Sequence, residues 1–138
     1  MNMVSDFRNQ FAVKLAAHAV TCQKWSGATQ KSDHMLELNT KPKRTVLYIK
    51  ESNKDPGFWG LTRNQLEALR TSTLDWFAVL LLRSSTSGYL LSSGQVERRI
   101  DDGRFELSGD GDHKVNETQD LSDGQNFSSV QEIIDRIL

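Results

Sequence analysis

The stretch Asp33-His-Met-Leu-Glu-Leu-Asn-Thr-Lys-Pro-Lys-Arg-Thr-Val-Leu-Tyr-Ile-Lys-Glu51 decides how this chain folds. It holds two runs of strand character, His34 to Leu38 and Thr45 to Glu51, separated by Asn39-Thr-Lys-Pro-Lys-Arg44. Pro, Asn and Thr between β-branched and aromatic runs are turn chemistry, so the stretch predicts an antiparallel hairpin. Side chains alternate across a strand, which puts Val46, Tyr48 and Lys50 on one face of the second run and Leu47, Ile49 and Glu51 on the other.

Upstream, Phe7, Phe11, Leu15 and Ala19 recur every four residues, so a helix is expected there, with Ser5 or Asp6 as its N-cap. Gly27 and its polar neighbours end that pattern. Downstream, Pro56-Gly57 marks a loop, and Leu61-Thr-Arg-Asn-Gln-Leu66 reads as a helix start. There Thr62 and Gln65 form a capping box and Leu61 staples against Leu66. Trp76 to Leu82 is a continuous apolar run of strand length, which suits a central strand covered on both faces. The turn Ser84 to Gly88 then leads to a strand at Tyr89 to Leu91 and a short helix over Val96 to Ile100.

From Asp101 to Asn126 the chain is rich in Asp, Gly, Asn and Ser, so loops are expected, with strand character only at Phe105 to Leu107 and His113 to Val115. Ser129 and Glu132 cap a final helix whose apolar stripe is Val130, Ile133, Ile134 and Ile137. The expected fold is α/β (α+β), a mixed central sheet flanked by helices in the order αββαββ plus the C-terminal helix. At 138 residues it reads as one domain, 1–138, with a core at about 5–91 and a loop-rich extension with the last helix at 92–138.

An apolar fraction of 37% and a charged fraction of 25% exclude wholesale disorder. No run reaches the roughly 18 apolar residues of a membrane span, so no membrane partner is expected. Cys22 is the single cysteine, which excludes an intramolecular disulfide and a multi-cysteine zinc site, and points to the cytoplasm. His18, His34 and His113 share no metal-site spacing. Asp110-Gly-Asp112 starts like a calcium loop but is not continued as one, and reads as a turn.

Charge is unevenly distributed along the sequence. Residues 1–70 carry 11 Lys/Arg against 6 Asp/Glu, a balance of +5, and residues 71–138 carry 6 against 12, a balance of −6. Lys41, Lys43, Arg44 and Lys54 are candidates for neutralising nucleic-acid phosphates, with Lys50 beside them. Phe58-Trp59 is either a stacking platform for bases or core packing. Lys114 and Glu117 are candidates for a second polar cluster near the hairpin.

A metal-dependent phosphodiesterase needs carboxylates for its cation and a lysine near the phosphate. Asp33 before the first strand and Lys50 near the end of the second supply both types. At these residues the chain resembles the PD-(D/E)xK, restriction-endonuclease-like nuclease superfamily, in which an Asp opens a hairpin and a carboxylate-x-Lys triplet closes it. Element order extends the resemblance over roughly residues 5–91.

The resemblance implies Asp33 as a ligand for Mg²⁺ or Mn²⁺, Lys50 as a catalytic cation, DNA as the partner, and a homodimer, in which many such nucleases cut two strands. The triplet reads Tyr48-Ile49-Lys50, however, which puts a phenol, a poor Mg²⁺ ligand, where the carboxylate belongs. The first helix has no Glu between Phe7 and Val20, only Gln10. Glu37 lies four residues, roughly 13 Å, along the strand from Asp33, and Glu51 faces away from Lys50 unless a bulge re-aims it. Two functions therefore stand side by side: a nuclease-like, DNA-associated phosphodiesterase, and a non-catalytic nucleic-acid-binding or protein-interaction module that has lost the metal site.

Overall fold

The computed structural model describes residues 2–27 and 33–138. Helix α1 spans Met3–Ala16 and starts earlier than its apolar spacing suggests, because the Asn2 side chain, not Ser5 or Asp6, caps it by accepting the Ser5 N–H at 2.7 Å. It ends before Ala19, which takes a left-handed φ of 56°. Strand β1, Cys22–Lys24, follows; its three residues are too short and too polar to show a strand pattern.

The hairpin forms as expected from β2, Met35–Leu38, and β3, Thr45–Ser52, with Met35 opposite Tyr48 and Leu38 opposite Thr45. Residues Phe58–Thr62 form strand β4, where a loop and a helix cap were expected. Helix α2, Arg63–Ser72, begins at Thr62 as anticipated, but the Thr62 side chain makes no capping bond. Thr62 is also the last residue of β4, and its amide is spent elsewhere, as described below.

Strand β5, Asp75–Leu82, lies parallel to β3 and antiparallel to β6, Gly88–Ser92, so the apolar run does occupy the middle of the sheet. Helix α3, Ser93–Asp101, starts with a full Ser92/Gln95 capping box. Then come β7, Asp112–Asn116, the short helix α4, Glu117–Asp120, a single 3-10 turn at Asp123–Gln125, strand β8, Asn126–Phe127, and helix α5, Val130–Ile137. Phe105 to Leu107 does not become a strand; only Leu107 makes an isolated bridge, to His113. The Ser129 cap and apolar stripe of α5 are as the sequence indicates.

The result is a mixed six-stranded sheet in the order β1-β2-β3-β5-β6-β8 flanked by helices, the architecture that the resemblance implies, with β4 and β7 as a separate two-stranded ribbon. Each face of the sheet carries its own core. Phe7, Phe11 and Leu15 of α1 and Ile133 and Ile134 of α5 pack on Leu36, Leu47, Ile49 and Val79. On the other face Leu66, Leu69 and Val96 of α2 and α3, with Trp59, Leu61 and Val115 of the ribbon, cover Met35, Val46, Tyr48 and Leu80. The alternation of β3 thus separates an α1 side from an α2 side. No described helix is long and apolar enough to cross a membrane.

Candidate functional site

The hairpin delivers its polar residues to different sides of the sheet. Tyr48 points to the α2 side and is 1% exposed, and its hydroxyl accepts the Thr62 N–H at 2.9 Å. Burial pushes the phenol up from its usual range, so it is a neutral acceptor that ties β3 to the end of β4. Tyr48→Phe should leave that amide without a partner and lower stability by about 1–3 kcal/mol with an unchanged urea m-value. Equilibrium urea unfolding measures this, and no loss would mean the bond is dispensable.

Asp33 would face Lys50 if the β2–β3 register continued past Met35. Instead residues 33 and 34 form a turn, held where the His34 carbonyl accepts the Ile49 N–H at 2.7 Å and His34 Nδ1 donates to the Ile49 carbonyl at 2.8 Å. The Asp33 carboxylate, 64% exposed, meets Lys24 Nζ at 2.9 Å and Arg8 Nη1 at 3.7 Å. Both cations belong to the α1 side: Arg8 lies on α1, and Lys24 pairs with Leu36, which packs beneath α1. The Lys24 hydrogen bond, with its charge, holds Asp33 below the usual carboxylate range.

Glu37, on the α2 side opposite Val46, is buried against Arg44 Nη1 at 2.8 Å. Glu51 is half-buried on β3, opposite Leu81 of β5. The carboxylates proposed from sequence are therefore dispersed, and among the described residues no group of three or more His, Cys, Asp or Glu is placed to hold a metal ion. This donor set does not fit Mg²⁺ or Mn²⁺, which want several oxygen ligands converging on one point.

No protein-family model matches the chain. No curated protein matches it either. Among solved structures it is similar to that of Archaeoglobus fulgidus Hjc, a Holliday junction resolvase from an archaeal hyperthermophile. That likeness covers 84% of this chain and 90% of that one, at 14% identity and a TM-score of 0.49.

The basic residues near the hairpin divide into two groups. Lys41, Lys43 and Arg44 sit at the hairpin turn beside an open groove of about 540 Å³ that Trp25, Thr40 and Leu74 also line. Lys43 donates to the Thr73 carbonyl at 3.2 Å and pairs with Asp75 at 3.5 Å, and Arg44 is taken by Glu37, so among the described residues only Lys41 of these three has no ion pair. Lys54 lies beyond the other end of β3, an eight-residue strand of roughly 26 Å.

At that far end a second constellation assembles from parts distant in sequence. The ribbon pairs Thr62 with Asp112, Gly60 with Lys114 and Phe58 with Asn116, which puts these residues on its outer face, while Trp59, Leu61 and Val115 turn inward. Trp59 is therefore a core residue, its indole N–H donating to the Leu81 carbonyl at 3.0 Å, and only Phe58 of the aromatic pair is half-exposed. Lys54 and Lys114 place their ammonium groups 5.2 and 5.8 Å from the Phe58 ring centroid, within cation–π range.

Gly60 leaves the space that the Asp112 carboxylate fills; a Cβ there would stand 2.6 Å from Asp112 Oδ2. Lys114 pairs with Asp110 at 2.7 Å and Asp112 at 3.8 Å. Half-buried Lys50 is pushed below the usual lysine range by burial, partly offset by the negative charges of Asp112 and Glu51. Glu117 takes no part in this cluster. Its carboxylate accepts the Gly57 N–H and the Tyr89 hydroxyl, each at 2.7 Å, pinning the loop before β4; desolvation, reinforced by this bond to Glu117, pushes the Tyr89 phenol up to about 12.

The sequence suggested Lys114 and Glu117 as a pair near the hairpin. The structure separates them into a surface cation and a loop clamp. Asp112 was missed as a neighbour of Lys50 because its only local signal is a turn.

Proposed function

We propose that this chain is a DNA-associated protein on a nuclease-like scaffold that binds backbone phosphates without a metal-dependent cleavage centre. The observation that carries this reading is the fate of the hairpin carboxylate positions. Tyr48 is committed to the Thr62 amide, and Asp33 is engaged by Lys24 and Arg8 on the side of the sheet away from Lys50. Lys50 thus lacks the hairpin carboxylates that would position a cation and water against a phosphodiester.

What Lys50 does have is company suited to phosphates. Lys54 and Lys114 flank a half-exposed aromatic ring, a combination that offers charge to a backbone and a face to an unstacked base. Asp110 and Asp112 hold Lys114 in place in the free protein, and a phosphate would compete with them for it. The expected binding is salt-sensitive and indifferent to sequence, because phosphate contacts carry no base information.

The test is binding of fluorescent duplex and single-stranded DNA by anisotropy, with and without Mn²⁺, alongside a cleavage assay. Binding without cleavage supports the reading, and metal-dependent cleavage lost in Asp33→Ala overturns it.

The displaced titration of Lys50 adds a pH signature. In the free protein its charge, and hence its phosphate contact, is lost as pH rises through a pKa below the ordinary lysine range. The affinity difference between wild type and Lys50→Ala should therefore shrink at lower pH than the difference between wild type and Lys114→Ala, because the hydrogen bond to Asp110 holds the Lys114 ammonium above the ordinary lysine range. Parallel pH profiles for the two variants would show that Lys50 does not contact phosphate.

A further inference from the structure

The α1 side of the sheet holds a second charged constellation that DNA binding at Lys50 does not use. A cavity of about 270 Å³ lies between α1 and β1–β2, lined by Ser5, Arg8, Asn9 and Ala12 from the helix and by Cys22, Gln23 and Leu36 from the strands; Lys24 and Asp33 adjoin it through Arg8 rather than line it. The helical residues fall at spacings that share one face. Arg8 reaches into this region with its side chain only 25% exposed, and its Nε is buried with no hydrogen-bond partner among the described residues. Its anionic neighbour Asp33 Oδ1 is at 3.7 Å, beyond a proper hydrogen bond, and that same oxygen is held by Lys24 at 2.9 Å.

Two features of this arrangement ask for a ligand. The wall that Arg8 gives the cavity is cationic, and an oxyanion in the cavity would pair with it. Arg8 and Lys24 carry two positive charges against the single charge of Asp33, so one remains unbalanced. The guanidinium fork can donate to two oxygens of a tetrahedral anion side by side, and a hydroxyl (Ser5) and an amide (Asn9) line the same cavity as further donors.

We propose that the mouth of the cavity between α1 and β1–β2, where Arg8 and Lys24 meet, is an oxyanion site that takes a phosphoryl group on these two cations, with Asp33 as a built-in carboxylate that competes for them. Asp33 is then neither a metal ligand nor a simple turn cap. It neutralises the site when empty, and its exposed position in the turn before β2 leaves it free to yield to a stronger anion. The site lies on the opposite side of the sheet from Lys50, so it does not depend on the DNA-binding reading.

Calorimetric titration of the full chain with inorganic phosphate, at ionic strength held constant with sodium chloride, tests it. Phosphate should bind the wild type. Asp33→Asn should bind it about fivefold tighter or more, because a like charge beside the site is removed. Arg8→Gln and Lys24→Gln should each weaken it about tenfold or more, the loss expected for a charge-assisted contact. Lys24 is on an exposed edge strand, so its variant reports even if Arg8→Gln fails to fold.

A 5′-phosphorylated oligonucleotide competing with phosphate, where the unphosphorylated oligonucleotide does not, would identify the source as a nucleic-acid end. Failure of both to compete would identify the free anion. Absence of phosphate binding, equal affinity in Arg8→Gln, Lys24→Gln and wild type, or no tightening in Asp33→Asn overturns the proposal. None of these results touches DNA binding by Lys50, Lys54 and Lys114, which the charge-reduced variant of that cluster reports separately.

Discussion

Gly88→Ala should destabilise the fold by about 3 kcal/mol or more, enough to remove much of the stability of a domain this size. Gly88 opens β6 at a φ of 154° and pairs with both Leu81 and Phe127, so it joins the central strand to the short edge strand β8. A Cβ at this position would stand 1.9 Å from the Leu80 carbonyl oxygen and 3.0 Å from the Leu81 Cα. Those are backbone atoms of β5, the strand buried in the middle of the sheet, and they cannot swing aside as a side-chain end would.

The cost adds backbone strain, about 1–3 kcal/mol, to an overpacking term of similar size. Thermal or urea unfolding measures it, and a loss below about 1 kcal/mol would mean that β6 shifts to accommodate the methyl group. Gly103 and Gly111 make a useful contrast: they too have positive φ, but nothing stands within 4 Å of an added Cβ, so only the conformational term applies.

The second large effect is on binding. Replacing Lys50, Lys54 and Lys114 together by Ala should lower duplex-DNA affinity on the order of a hundredfold at low salt. It should also flatten the dependence of log affinity on log salt by about 2.7, roughly 0.9 for each phosphate contact removed. The slope discriminates better than the affinity, because a variant that merely misfolds loses binding without a predictable change in slope. Replacing Lys41, Lys43 and Arg44 should have a smaller effect, since Lys43 and Arg44 are already committed to Asp75 and Glu37. An unchanged slope in the triple variant at Lys50, Lys54 and Lys114 would move the binding surface elsewhere, the hairpin-turn groove being the next place to test.

The parts of the fold legible in the sequence are those whose signal is local. The hairpin around residues 39–44 announces itself by turn chemistry between two β-rich runs, and β5 by an unbroken apolar run. Helices α2 and α5 show as apolar periodicity beside capping residues, whereas the Ser92/Gln95 cap of α3 emerges only in the structure. What escaped has partners far away in sequence. Strand β4 reads as loop because its mate β7 lies some fifty residues downstream, and Thr62 serves at once as the strand's last residue and the cap position of α2.

The same non-locality hides the site. Tyr48 looks like a failed carboxylate when judged by its neighbours Ile49 and Lys50; only the arrival of the Thr62 amide explains the phenol. Asp33 and Lys50 are in register by counting along the hairpin, yet Lys24 and Arg8, from β1 and α1, draw the carboxylate to the other side. Likewise Lys54 follows Lys50 closely in the chain, whereas Lys114 comes from the ribbon to face the same aromatic ring. Adjacency in sequence grouped Lys54 with Lys41, Lys43 and Arg44, but the length of β3 keeps them apart.

The central claim is that phosphate binding here needs no metal, and duplex-DNA affinity measured in EDTA and again in Mn²⁺ at equal ionic strength tests it most directly. The account predicts the same dissociation constant in both and intact DNA after prolonged incubation. Binding that appears only with Mn²⁺, or cleavage that Asp33→Ala abolishes, would contradict it.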